Sequence, residues 1–400
     1  MSFPVDKIYL QQPLLVHHSP PYPKRQTKKG IITTVEAVVV GRGFSGAYTG
    51  YHLAQRGINA AIVESPLDTD CQNSITVSQN DIGVFDLNHL SSTKKTVCPA
   101  QILSPGGKRF IPSKQEHLFS FKENYLTKEF LQKSRDKGCR VFNEQILGIE
   151  HENGGWAVHT SNRLLRCRVL IAADAQGKMV KKAITLNPQK ETAVFGTGYS
   201  FYNKGHSHNF LKILDCGEVF KVWCDEEMLH AELFGSLPTG YGRRKRLETL
   251  MRELLGNMDF SSTWTSVFPD IYNPAFFEKP CSGKNWILTA SAAGHVHPIG
   301  CEGGLFALAS AELAAKAIEW GDPRIYDSLW RDCYGKTVAT AAKLKNYLHS
   351  PTIANTLFAA AYKSKSLSDL ISPLLTPSLW AKKSCSHTKR LLRIMLEFAK

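Results

Sequence analysis

At 400 residues and 43% hydrophobic content the chain is long enough for two packed lobes, and its longest apolar stretches are cut by Glu312, Lys316 or Lys363, which argues against a membrane span. Forty-nine basic against 35 acidic side chains give a net charge of +14, which favours an anionic partner, but no nucleic-acid motif accompanies it. Ten cysteines are dilute in this length and form no Cys-x-x-Cys pair, so the chain is not a disulfide scaffold and a reducing cytoplasm fits best.

Residues 1–32 read as a flexible leader, with prolines, His17, His18 and a basic cluster (Lys24, Arg25, Lys28, Lys29) but no signal-peptide core. The apolar run 35–40 predicts a strand. It ends in Gly41, Arg42, Gly43, Phe44, Ser45 and Gly46, followed by a helix-like stretch and a second apolar run that closes on Glu64. Strand, glycine turn, helix, strand and acid make up a dinucleotide-binding unit. Gly41 allows the tight turn, Gly43 lets the backbone approach a pyrophosphate, and Gly46 lets the helix pack against the strand. Phe44 and Ser45 complete the turn where phosphates would meet the helix N-terminus, and Glu64 would accept from ribose hydroxyls.

Residues 65–98 are irregular and polar, a functional loop or a piece of a second lobe. A helix is predicted at 125–136 and strands at 139–142, 146–149, 156–160 and 166–171, the last running into Ala172, Ala173 and Asp174. Residues 192–277 read as strands with one helix, 243–255, and form a separate antiparallel lobe rich in aromatics such as Phe195, Tyr199, Phe220, Trp223 and Phe234. These are mostly core, some lining a cavity for a long substrate. The basic run Arg243, Arg244, Lys245 and Arg246 reads as the solvated start of that helix. A short buried strand at 286–289, a small-residue turn and a helix at 303–320 follow. Beyond Asp322 the chain is helical and amphipathic, punctuated at Pro351, Pro373 and Pro377.

Three segments in this order resemble the FAD-binding class related to para-hydroxybenzoate hydroxylase, and in detail its geranylgeranyl reductase branch. The first is the glycine turn with Glu64; the second is residues 171–182, with Asp174 and the basic pair Lys181 and Lys182. The third, residues 287–318, keeps Ala292, Ala293, Gly294, Pro298, Glu302 and Gly303 in register with the branch's signature, and Gly294 stands where the hydroxylases usually have a histidine. The resemblance implies an α/β fold: a Rossmann-like FAD-binding domain of the glutathione reductase type from 33–70, 115–185 and 280–325. It adds an antiparallel-sheet substrate domain from 71–114 and 186–279 and a C-terminal helical region at 326–400.

It also implies that FAD lies on the turn at 41–46, with Asp174 beside the pyrophosphate and Ser291, Pro298, Cys301, Glu302, Gly303 and Gly304 following the cofactor towards its ring. Lys122 takes the place of a cofactor-side arginine. The helix starting near Gly303 would aim its positive end at the pyrimidine edge of the ring. Gly196, Thr197 and Gly198 lack the third glycine and helix of a second dinucleotide site, so NAD(P)H would bind transiently or a protein donor would supply electrons. The implied activity is reduction of carbon–carbon double bonds in an isoprenoid or other prenyl lipid by hydride transfer. The alternatives are a monooxygenase of an aromatic or polycyclic substrate and a non-catalytic flavin- or lipid-binding descendant. Ser291 departs from the family's aspartate, and Ala175, Ala290 and Cys301 from its glycines; alanine would resist a positive φ at 175.

Three side chains are candidates for chemistry. Cys71 lies roughly where archaeal relatives carry a cysteine near the flavin, and reads otherwise as an ordinary loop thiol. His295 and His297 flank Val296, and alternation on an extended segment would aim both rings to one side, as proton donors or as polar loop lining. No third ligand stands at a recognisable spacing from them, so no metal site is expected. His206 and His208 read as an exposed turn. Residues 379–400 form a basic amphipathic helix, suited equally to peripheral membrane contact and to packing on its own lobe.

Overall fold

The strand Ile31–Val40 is an inner strand of the parallel sheet. In the computed structural model, residues 31–64, 74–85, 87–93, 95–97, 101–112, 118–174, 177–184, 193–202, 205, 209–225, 227–236, 241–256, 263–269, 271–273 and 277–375 are described. The leader at 1–30, Cys71, Ala175, His206, His208 and the segment 379–400 lie outside them.

Ile31–Val40 pairs in parallel with Ala60–Glu64 on one side and Arg163–Ala172 on the other; Arg140–Asn143 and Trp286–Leu288 extend the sheet. Val38, Val39, Ile62, Leu170 and Ile171 are fully buried, which is why these strands read as continuous apolar runs. The helix Phe44–Gln55 packs on this sheet, and Arg163–Ala172 pairs on its N-terminal half with Gly155–Thr160, which returns to Ile146–Glu152. The predicted helix at 125–136 starts two residues early, at Glu123–Asp136.

A second sheet of seven strands runs Thr263–Pro269, Ala193–Tyr202, Met228–Gly235, Val219–Cys224, Phe210–Ile213, Gln101–Leu103 and Arg109–Phe110. One face carries the helix Tyr241–Leu255, packed on Tyr199, Phe220, Leu229 and Leu233. The other face meets residues 296–301 and the C-terminal helices Lys336–Leu348, Pro351–Lys363 and Lys365–Leu375 through Ile213, Val219, Phe234, Ile299, Leu344 and Phe358. Among the described residues no helix is long and apolar enough to cross a membrane.

The polar stretch expected to be irregular is partly ordered. Ser74–Ser78 and Lys95–Val97 form a small sheet with Leu118–Lys122, and Ser78 and Asp81 exchange hydrogen bonds as a capping box that starts the helix Gln79–Val84. Its polar residues are helix caps, which a search for apolar periodicity misses. Of the stretch assigned to the substrate lobe, residues 101–110 pair there, while Ile75, Val77, Ile82 and Leu90 join the core under the parallel sheet.

Candidate functional site

Three turns spread over about 250 residues leave the same edge of the parallel sheet. Val40 lies beside Val63 and Ala172, and Ala172 beside Leu288, so the strands end in register. The Ala173 N–H donates to the Val40 carbonyl at 2.8 Å, and the N–H and hydroxyl of Thr289 both donate to the Ala172 carbonyl, at 2.9 and 2.8 Å. Ligands of open α/β sheets bind at such an edge, where connections diverge beyond the carboxyl ends of the strands.

Gly41 has φ +122°, and a Cβ there would sit 2.5 Å from the Asp174 nitrogen; the first and second turns touch through this missing side chain. A Cβ at Gly46 would overlap the Gly41 carbonyl oxygen. Gly46 thus lets the helix lie against the strand end, and Gly50, which lies against Ile62, extends that close approach one turn further. Gly43 faces open space, and the helix it precedes has no acid in its first turn and no side-chain cap. Inside that first turn the Ser45 hydroxyl is shielded from solvent and has no hydrogen-bond partner among the described residues. Open backbone, a positive helix end and an unanswered hydroxyl fit a phosphate group. Phe44 turns away, onto Tyr48 and Phe130. Glu64 ends its strand opposite Asn143, to whose side-chain oxygen Arg42 donates at 2.8 Å.

The third turn, Ala290–Ala293, ends at Gly294 with φ +68°. Ala290 itself has φ +47° and Cys301 φ +51°, so both hold left-handed backbone, which glycine, the residue the resemblance implies at each position, adopts without strain. Each costs about 1–2 kcal/mol relative to a right-handed residue. Beyond the turn, the His297 N–H donates to the Glu302 carbonyl and the Cys301 N–H to the His297 carbonyl, closing a tight loop around the buried Pro298. Gly303 precedes the helix Gly304–Glu319, which again has no acid in its first turn and no side-chain cap. Ser291 is half-buried beside Gly303: a Cβ on that glycine would lie 3.5 Å from the Ser291 hydroxyl.

The two histidines are held by different groups. His295 Nδ1 lies 3.0 Å from the Ser310 hydroxyl and 3.2 Å from that of Tyr326, and its ring stacks on Trp330. His297 Nδ1 accepts from the N–H groups of Ile299 and Gly300, so the tight loop, not an extended strand, sets its direction. Burial keeps both rings neutral: it drives His295 well below the ordinary histidine range and holds His297 at about 3. The Cys301 thiol packs 3.5 Å from the Tyr272 hydroxyl, and burial pushes it up to about 12.

Sequence reading missed a polar row on the substrate sheet. Lys221 and Trp223 alternate on one strand and Glu232 and His230 on its neighbour, in cross-strand register. Lys221 Nζ lies 2.5 Å from Glu302 and 4.0 Å from Glu232, tying this wall to the third segment. Burial works against the ammonium, but Glu302 and Glu232 more than offset it and its pKa ends above the usual lysine value. Burial lifts Glu232 above the ordinary carboxylate range, with Lys221 opposing. His230 stacks on Trp223 at 3.9 Å between ring centres and meets the Ser200 hydroxyl at 2.8 Å; burial, aided by Lys221 and Lys122, lowers it to about 3. The signal was available as polar residues at alternate positions of two apolar strands. Lys122 is exposed and pairs with Glu227 at 3.4 Å.

No family model and no curated protein sequence matches this chain. Solved structures do. A geranylgeranyl bacteriochlorophyll reductase-like protein from Thermoplasma acidophilum superposes with a TM-score of 0.70 at 16% identity, over 90% of this chain and 96% of that one. A flavoprotein/dehydrogenase from Cytophaga hutchinsonii gives 0.68 at 13% identity, over 92% and 100%. A probable FAD-dependent monooxygenase from Pseudomonas aeruginosa gives 0.61 at 16%, over 83% and 100%. The chain therefore shares the fold of these three proteins.

Proposed function

We propose that the chain is an FAD-dependent oxidoreductase that reduces carbon–carbon double bonds of a hydrophobic, isoprenoid-type substrate. The observation that carries this reading is the convergence of the three turns on one sheet edge, with Gly43 open and the Ser45 hydroxyl unanswered beside a helix N-terminus. The chemistry FAD supplies there is hydride transfer, with electrons from NAD(P)H or a protein donor.

The chain's own residues do the holding. The first-turn N–H groups and Ser45 hold phosphate oxygens, and Asp174 stands beside them across Gly41. The N-terminus of Gly304–Glu319 lends partial positive charge to the far end of the cofactor, where reduction adds negative charge. Lys221, fixed between Glu302 and Glu232, holds the loop 297–302 against the substrate sheet. Next to that polar row the same sheet face is apolar at Ile213, Val219 and Phe234, where the C-terminal helices cover it, a wall suited to a hydrocarbon substrate. Delivery from a bilayer would fall to the basic segment 379–400.

A second reading, an FAD monooxygenase, has the support of the likeness to the Pseudomonas aeruginosa protein. A third, a non-catalytic flavin- or lipid-binding protein, has the support of Ala290 and Cys301 at glycine positions. Anaerobic reduction of the FAD-loaded protein, followed by a prenyl lipid, separates them. Flavin reoxidation with saturation of the lipid is the expected result. Reoxidation only with oxygen and an aromatic compound would establish the monooxygenase, and no turnover in either arm the binding protein.

A further inference from the structure

The basic run 243–246 opens the helix Tyr241–Leu255, which has no acid in its first turn. A helix N-terminus carries partial positive charge, so four cations there stand where cations are least welcome. Arg244 finds Glu248 and the Tyr199 hydroxyl. Arg243, expected to be solvated, is instead buried, its side chain only 3% exposed. Its Nη1 donates to the carbonyls of Phe195 and Gly235, but Nε and Nη2 have no hydrogen-bond partner, and the Glu218 carboxylate stands 3.8 Å away. Unmade donors on a buried guanidinium are costly, and a ligand is one way to answer them.

Beside it lies a cavity of about 720 Å³, lined in part by Glu218, Arg243, Arg246, Tyr272, Lys345 and His349. Its lining holds three permanent cations and one carboxylate, an excess of two positive charges, and Arg246 at 3.0 Å already shares that carboxylate with Arg243. Lys345 is buried, donating to the Gly217 carbonyl at 2.8 Å and lying over the Tyr272 ring. The Tyr272 hydroxyl in turn lies 3.5 Å from Cys301, so one side chain separates this cavity from the loop 297–302.

We propose that this cavity binds a phosphate-class anion, a phosphate monoester or diphosphate, seated against the Arg243 edge that Glu218 faces, the Arg246 guanidinium and the first turn of the Tyr241–Leu255 helix. Two excess charges match a dianion, and a buried guanidinium edge beside a helix N-terminus gives directed donors to tetrahedral oxygens. The volume leaves room for part of the group the phosphate is attached to. The inference rests on charge and burial at this cavity and stands whether or not the chain binds FAD.

Calorimetric titration of the full chain with inorganic phosphate, with diphosphate, and with phosphatidylcholine vesicles carrying phosphatidic acid tests it. Saturable binding is expected. Arg246→Gln should weaken it about tenfold, the loss of one charge-assisted contact. Glu218→Gln, which removes the competing carboxylate, should tighten it several-fold; a misfolded variant cannot do that, and neither change touches the glycine turn. Uptake of the free anions identifies a soluble phosphate ester, and uptake of the acidic vesicles alone a lipid head group. The proposal fails if no arm binds, or if the two substitutions do not shift binding in these opposite directions.

Discussion

The turn at 41–46 and the segment 290–303 face one sheet edge and are built differently. In the first, glycine is obligatory: Gly41 has φ +122° and touches the Asp174 backbone, and Gly46 has no room for a single carbon beyond its Cα. In the second, Ala290 and Cys301 hold left-handed backbone with side chains attached. The difference teaches that a backbone path can outlast the residue that makes it easy. Where a side chain would collide the glycine is indispensable, and where it would only strain φ the neighbours can hold the shape at about 1–2 kcal/mol.

The largest expected effect tests the first half of that contrast. Gly46→Ala should destabilise the protein by about 3 kcal/mol or more, because the methyl group and the Gly41 carbonyl cannot share one position. A urea midpoint unchanged from the parent protein would show that the turn can relax.

Acid should reach the second region. His295 and His297 lie within it and are held below the unfolded value of about 6.5, His297 at about 3, so between these limits the unfolded chain binds protons that the folded one does not. Stability is therefore full above about pH 6.5 and falls as pH drops towards 3, by about 1.4 kcal/mol per pH unit for each ring. Protection from hydrogen exchange, corrected for the intrinsic rate, should fall further at residues 290–303, which hold two such rings, than at 41–46, whose helix holds one, His52, as pH falls from 7 to 5. Equal protection of both segments would refute the distinction.

A smaller effect has the opposite sign from the first. Ala290→Gly relieves the left-handed strain but frees the unfolded chain, for a net stabilisation of about 0.5 kcal/mol. A rise in the urea midpoint checks it, and a fall would mean that the Ala290 methyl packs better than its φ costs. Smallest of all, Ser291→Asp should tighten FAD about twofold by restoring the carboxylate of the implied family; weaker binding in a fluorescence titration would mean that the local path has moved.

How much of this was legible in the sequence follows from the same physics. Buried parallel strands need continuous apolar runs, so Ile31–Val40, Arg163–Ala172 and Trp286–Leu288 stood out, and a glycine forced by collision announced the first turn. What stayed hidden depends on partners far along the chain. Nothing near Lys221 in sequence reveals Glu302, and nothing near His295 reveals the Trp330 ring it stacks on. Arg243 was read as solvated because its neighbours are charged, yet its own side chain turns under the sheet to the carbonyls of Phe195 and Gly235. The left-handed Ala290 was visible only as a departure from a motif, since an alanine gives no local sign of positive φ.

The central claim is that the open edge above Gly43 holds FAD. Titration of FAD into the purified protein and into Gly43→Trp, followed by flavin fluorescence, tests it most directly. No described atom lies within 4 Å of a Cβ placed on Gly43, so the variant should keep its fold and unfolding midpoint. The parent should bind one FAD per chain and the folded variant none. Equal FAD binding by both proteins, or by neither, would contradict the account.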